Sequence, residues 1–275
     1  MVDRTLYSIF KEGSKTYFYS SLFFPMDIRS DVFVLYAFVR KADNFVDTIP
    51  QRKNEFYAFW EKYEKAFAGR LSEDIVIDSF VALMHRKKFD PKWVQAFFRA
   101  MDMDLKKQKY KNIEETKEYM YGSAEVVGLM MASIMELPRQ SFECARYLGR
   151  AMQYINFIRD IREDLSLGRQ YLPQSDLDNC KLDSLEHEYI RTRENEFNEF
   201  IRIQITRYEE WQRAAEQGFP YIPKRFFIPI KTASDMYNWT AVQIKKAPIT
   251  VYSRKVKPSM PFIISRFVYS TLRYH

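Results

Sequence analysis

Glycine is scarce in this 275-residue chain, with seven residues against eleven prolines. No glycine-rich run offers the backbone cradle of a nucleotide-binding loop, so a phosphorylated ligand would have to be gripped by cationic side chains or a metal. Cysteine is limited to Cys144 and Cys180, which excludes a disulfide framework and suits a reducing compartment. Neither thiol has a candidate base nearby, and no G-x-S-x-G element occurs. His85, His187 and His275 lack metal-ligand spacing. No run of 18 apolar residues exists, so no membrane-spanning helix is expected. The N-terminal MVDRTLYSIFKEG lacks the apolar core of a signal peptide, and the expected location is cytoplasmic. There is no zinc-finger spacing, no RNA-recognition aromatic motif and no concentrated basic tail, so nucleic acid is not an expected partner. Without repeats, low-complexity runs or linkers, residues 1–275 read as a single domain.

What is abundant is aromatic side chain and positive charge. The chain carries 23 Phe, 19 Tyr and a formal net charge of +7. Most rings must serve the core, and a ring-lined pocket is the alternative use; the charge suits an anionic partner such as phosphate or an acidic membrane surface. No stretch alternates like a strand, and the prolines punctuate intervals suited to long helices. The periodicity predicts helices from a cap at Asp31 to about Asp47, over Asn54–Ala68, from Ser72 to about His85, and from Asp90-Pro91 to about Met103. It predicts further helices over Thr116–Met135, Gln140–Leu165, Leu182–Glu216 and Lys224–Lys246, the last being the final substantial one. The fold class is therefore all-α.

Two carboxylate-bearing stripes stand out. Tyr36, Arg40, Asp43 and Asp47 fall within about 60° of one another on a helix. Asn156, Asp160 and Asp164 keep a similar four-residue beat, with Gln153 one turn earlier. Aspartate pairs at i, i+4 are weak signals singly; chance predicts about one in this chain, which has four. Asp27–Asp31 and Asp74–Asp78 sit at helix starts, where acids cap and favour the dipole, and read as structural. Asp43–Asp47 and Asp160–Asp164 come late in apolar helices, where the dipole gives an anion no help. Buried charge of one sign needs a counter-ion, and Mg²⁺ carrying a phosphorylated substrate is the natural one, with a merely solvated face as the alternative.

The segments SKTYFYSSLFFP, LYAFVRKADNFVD, YMYGSAEVVG and QYINFIRDIREDLSLGRQYLPQ together resemble the squalene/phytoene synthases, which join two isoprenoid diphosphates head to head. The resemblance covers nearly the whole length and implies an isoprenoid-synthase-type helical bundle with a central cavity. It implies that Asp43 and Asp47 form one metal-binding motif and Asn156, Asp160 and Asp164 the other, binding Mg²⁺ or Mn²⁺. It further implies diphosphate or ligand contacts at Lys15, Tyr36, Arg40, Gln153, Arg159, Tyr237 and Arg254. Tyr119 falls at the tyrosine that helps position or deprotonate the carbocation. Many relatives carry Val-Ala-Gly where this chain has Ser123-Ala124-Glu125. Whether Glu125 meets a cation or points away is open from sequence.

The family chemistry is metal-assisted loss of diphosphate from one substrate, attack by the double bond of the second, and a cyclopropylcarbinyl diphosphate intermediate. A second ionisation and rearrangement follow. The LGRQYLPQ loop resembles the phytoene branch, so no NADPH is expected. Relatives making the C30 product tend to place a bulky aromatic where Ser21 sits, so the small residue implies geranylgeranyl diphosphate as substrate and phytoene as product. The alternatives are a C30 dehydrosqualene or squalene synthase using farnesyl diphosphate, and a non-catalytic assembly protein of the same fold. The basic, aromatic tail VKPSMPFIISRFVYSTLRYH is compatible with peripheral contact with a membrane's cytoplasmic face, and equally with surface packing.

Overall fold

The computed structural model describes residues 3–13, 18, 21–22 and 24–274. Among these the chain is helical throughout, its one β-type pairing being an isolated parallel bridge between Lys109 and Gln170. In chain order the helices are α1 (Arg4–Gly13), α2 (Met26–Val46), α3 (Lys53–Phe67), α4 (Ile75–Lys87), α5 (Pro91–Asp104) and α6 (Ile113–Met120). A π-turn, Tyr121–Glu125, joins α6 to α7 (Val126–Ile134). There follow α8 (Phe142–Arg159), α9 (Ile161–Ser166), α10 (Gln174–Asn179), α11 (His187–Ile190), α12 (Glu194–Glu216), α13 (Lys224–Lys246), α14 (Thr250–Ser253) and α15 (Met260–Tyr274).

Local chemistry accounts for several boundaries. The Asp90 carboxylate accepts from Lys92 N at 2.9 Å and Pro91 opens α5, satisfying an orphan donor with a residue that needs none. Asn112 caps α6 through Glu115 N at 3.0 Å. Two expected caps are displaced. Asp31 lies inside α2, not at its start, because Arg86 of α4 engages both its carboxylate oxygens at 2.7 and 2.9 Å. Asp74, not Ser72, caps α4 by accepting from Val76 N at 3.1 Å, while Ser72 donates to Asp78 at 2.8 Å. Both outlying aspartate pairs are thus structural.

Three expected long helices are interrupted. The run from Thr116 contains the π-turn, the run from Gln140 breaks at Asp160, and the charged helix starts at Glu194 after short pieces. Helix α13 is not the last substantial one, since α15 packs back along it: Arg266 donates to Asp235 at 2.7 Å and Phe262 meets Trp239 with ring centroids 5.7 Å apart.

Helix α8 is the central strut, packed on α12, on α7 and the π-turn, and on α13. Its approach to α7 is close because two glycines permit it. A Cβ at Gly149 would stand 2.5 Å from the Ala124 carbonyl oxygen, and one at Gly128 2.3 Å from that of Ala145. Aromatic rings fill one flank of the core, with Phe38 stacked on Phe80 at 3.7 Å and met edge-on by Phe98 at 5.7 Å. Between α2, α5–α7, α8 and α13 the helices leave a cavity. Among the described residues no helix is long and apolar enough to cross a membrane.

Candidate active site

The cavity has a volume of about 900 Å³ and gathers both carboxylate stripes. Asp43 lies in the last turn of α2 and Asp47 is its C-terminal cap. Asp160 occupies the break between α8 and α9, and Asp164 follows on α9. These four, with Asn156, line one end of the cavity beside Tyr36, Arg40, Gln153, Arg159, Tyr119 and Tyr237. The other end is apolar, walled by side chains such as Phe24, Met131, Met135, Leu148, Phe219 and Ile222. Lys15 lies outside the described residues. Arg254 lines an adjoining depression of about 350 Å³ with Arg159 and Asp160, not the main cavity. Lys255, one residue on, lines both, its Nζ 2.5 Å from Glu163 and 3.6 Å from Asp160.

Crowded acids in a poorly solvated space resist ionisation. Burial, then the neighbouring Asp47, pushes Asp43 up to about 8 against the pull of Arg40. Burial and then Asp160 raise Asp164 well above the ordinary carboxylate range. The Oδ1 of Asn156 is buried with no hydrogen-bond partner. Among the described residues no three His, Cys, Asp or Glu side chains stand in a chelating arrangement. The donor inventory is nevertheless all oxygen and anionic, with Arg159 engaging both oxygens of Asp160 and Arg169 one of Asp47. That is a donor set for a hard divalent cation.

Beneath the acids lies a network that sequence reasoning did not single out. Asp104, the last residue of α5, accepts from the Tyr119 and Tyr171 hydroxyls, each at 2.7 Å. Burial lifts Asp104 to about 6, against Arg169 and the two tyrosine hydrogen bonds. Arg169 is 4% exposed. It donates to Asp47 at 2.8 Å and to the Val46 carbonyl at 2.6 Å, and its Nε is 4.0 Å from Asp104. The loop that follows the second aspartate motif thereby pins the end of the helix that carries the first. A signal for Asp104 was present: like Asp43, it is an acid at a helix C-terminus, where the dipole opposes it.

Tyr119 lines the cavity with its hydroxyl committed to Asp104, and its ring lies 4.9 Å from Tyr171, which stacks on Phe157 at 4.4 Å. Tyr119, Tyr171 and Phe157 thus form one aromatic cluster on the cavity wall. The open question about Glu125 is answered. It is buried, and it accepts from Arg150 at 2.7 Å and Arg146 at 3.0 Å, both on α8.

An all-helical bundle with two aspartate motifs facing one long, partly apolar cavity defines a class of isoprenoid-type synthase, and comparison with known proteins gives the family. The squalene/phytoene synthase family model matches residues 10–261. The chain is 26% identical over 263 residues to 15-cis-phytoene synthase of Pantoea ananas, an alignment covering 90% of this chain and 84% of the relative. It is 30% identical over 240 residues to the chloroplastic phytoene synthase of Narcissus pseudonarcissus, covering 82% of this chain and 56% of that longer protein. Among solved structures, a dehydrosqualene synthase in complex with ligand superposes with a TM-score of 0.87 at 20% identity, covering 98% of this chain and 94% of that one. Squalene synthase HpnC from Alicyclobacillus acidocaldarius gives 0.79 at 21% identity, covering 90% and 93%. The chain belongs to the squalene/phytoene synthase family, whose members are head-to-head prenyltransferases.

Proposed function

We propose that this protein is a magnesium-dependent phytoene synthase-type enzyme. It condenses two geranylgeranyl diphosphates head to head, through a cyclopropylcarbinyl diphosphate, to phytoene and diphosphate without NADPH. The observation that carries the reading is the convergence of both aspartate motifs on one cavity whose far end is apolar. Asp43, Asp47, Asn156, Asp160 and Asp164 would hold the metal, with Mn²⁺ an acceptable substitute, and the metal would neutralise the leaving diphosphate. Arg40, Gln153 and Arg159 orient the diphosphates, Arg169 fixes Asp47, and Tyr119 turns its ring to the cation. Ser21 supports the longer substrate: it is buried at the cavity wall with its hydroxyl donated to Phe18 O at 2.7 Å. A membrane's cytoplasmic face is the proposed workplace, a reading supported by the exposed Ile264, Val268 and Tyr269 of α15.

The direct test supplies Mg²⁺ with C15 or C20 diphosphate, with and without NADPH, and identifies the hydrocarbon. Phytoene from C20, formed without NADPH and lost on chelation, is the expected result. A C30 product or a need for NADPH would move the chain to the dehydrosqualene or squalene branch. No hydrocarbon from either substrate would favour a non-catalytic role.

A stability prediction follows from the raised carboxyls. Asp43 and Asp104 hold protons in the fold that the unfolded chain releases near 3.8. Wherever the native state binds more protons, stability falls as pH rises. The chelated protein should therefore lose thermal stability steadily between about pH 5 and 8. Mg²⁺ should restore most of the loss at pH 8 and release protons on binding. Thermal midpoints across that range, in chelator and in Mg²⁺, check both statements. A flat profile in chelator would contradict the crowding.

A further inference from the structure

Ser123 and Glu125, the two departures from the family pattern, both fall in the π-turn. Several hydroxyls in the regular helices bond the carbonyl four residues back, and Thr232 of α13, buried and unpartnered like Ser123, does not line the cavity. Ser30 bonds Met26 O at 2.9 Å, Ser133 bonds Leu129 O at 3.0 Å, Thr206 bonds Arg202 O at 2.9 Å and Thr240 bonds Met236 O at 3.1 Å. The π-turn widens the backbone ladder to five residues, and there the Ser123 Oγ is buried with no partner while its residue lines the cavity. The turn is anchored from behind by Glu125, gripped by Arg146 and Arg150.

Depth along the cavity can be read from the register of the antiparallel α7–α8 pair. Ala124 faces Gly149 and Gly128 faces Ala145. Continuing that register sets Asn156 level with Lys117. Ser123 lies six residues further from the acidic end, about 9 Å at the helical rise, with Tyr119 between the two levels. The other cavity-lining side chains with buried, unpartnered polar atoms are Arg40, Asn156 and Arg169, all at the acidic end. Leaving a buried hydroxyl unmatched is unfavourable, so a ligand feature that meets it offsets that cost. At this depth an isoprenoid tail offers no donor or acceptor. Under the head-to-head reading, the one polar feature such a tail acquires is the positive charge of its ionised allylic carbons.

We propose that Ser123 Oγ is a catalytic oxygen whose lone pairs face the allylic carbocation and hold its charge against the α6–α7 wall. The inference rests on the head-to-head reading above. Ser123 forms no covalent bond and keeps its proton; the positive charge passes on as the new carbon–carbon bond forms. An interaction made only once charge has developed lowers the barrier without tightening substrate binding.

The test compares Ser123→Ala and Ser123→Thr with the parent chain in steady-state turnover and thermal melting. It also measures affinity for a thiolo-diphosphate substrate analogue, which cannot readily ionise. Ser123→Ala should lower kcat about tenfold with KM, analogue affinity and melting midpoint unchanged, and Ser123→Thr, which keeps the oxygen, should recover to within about twofold. An active parent matched by Ser123→Ala would overturn the inference alone, as would an equal loss in Ser123→Thr. A parent inert on both substrates would overturn the functional reading and this inference with it.

Discussion

Asp43→Asn should lower hydrocarbon formation by about 10³-fold or more, the scale of several kcal/mol of lost charge stabilisation, while the helical circular dichroism stays that of the parent. Asparagine keeps the shape and one oxygen but removes the negative charge that would hold a divalent cation at this wall. The same change should not weaken the fold. Burial and Asp47 already push the Asp43 carboxyl up to about 8, so near neutral pH the native state bears the cost of crowding an acid there. Neutralising it relieves that cost. With chelator present at pH 8, Asp43→Asn should melt no lower than the parent, and its stability should depend less on pH. Asp160→Asn should lose activity in parallel. Turnover within tenfold of the parent in either variant would remove the clamp from the mechanism. Lost activity accompanied by a lower melting point in chelator would say that Asp43 serves the fold instead.

Asp43 and Asp160 were legible in the sequence because an anion late in an apolar helix is locally anomalous, and the anomaly survives without knowledge of contacts. Asp104 carried the same mark at the end of α5, but its partners Tyr119, Arg169 and Tyr171 come 15, 65 and 67 residues later. Nothing local joins them. Asp31 shows the converse failure: a good capping residue at a plausible start was overruled by a bidentate arginine 55 residues away. The π-turn left no trace because one extra residue per turn barely disturbs an apolar pattern, and Glu125 could not be assigned because both its arginines belong to another helix. The all-helical class rested on missing alternation and spaced prolines, signals that tertiary packing seldom reverses. What stayed hidden was the pairing of helices, which turns two stripes into one cavity.

Arg169→Ala should be the most damaging single change to stability in the site, about 3–5 kcal/mol. The guanidinium is almost wholly buried, and although burial opposes its charge, Asp104, Tyr171 and Asp47 outweigh that opposition and raise its pKa. Removing it leaves Asp104, also buried, in a low-dielectric space with two tyrosine hydroxyls as its remaining support. It also frees the Val46 carbonyl and the Asp47 carboxylate at the end of α2. Those losses couple, because one side chain makes all of them. Arg169→Lys keeps the charge but not the planar fork, and should recover less than half of the lost stability. A second change isolates the cause. In an Arg169→Ala background, Asp104→Asn removes the stranded charge and should recover about 1–2 kcal/mol, whereas Asp104→Asn alone should destabilise the parent. Denaturant unfolding of the four proteins completes the cycle. Additive effects, with no recovery in the double variant, would mean that Arg169 acts through Asp47 and the helix end, and not as the counter-ion of Asp104.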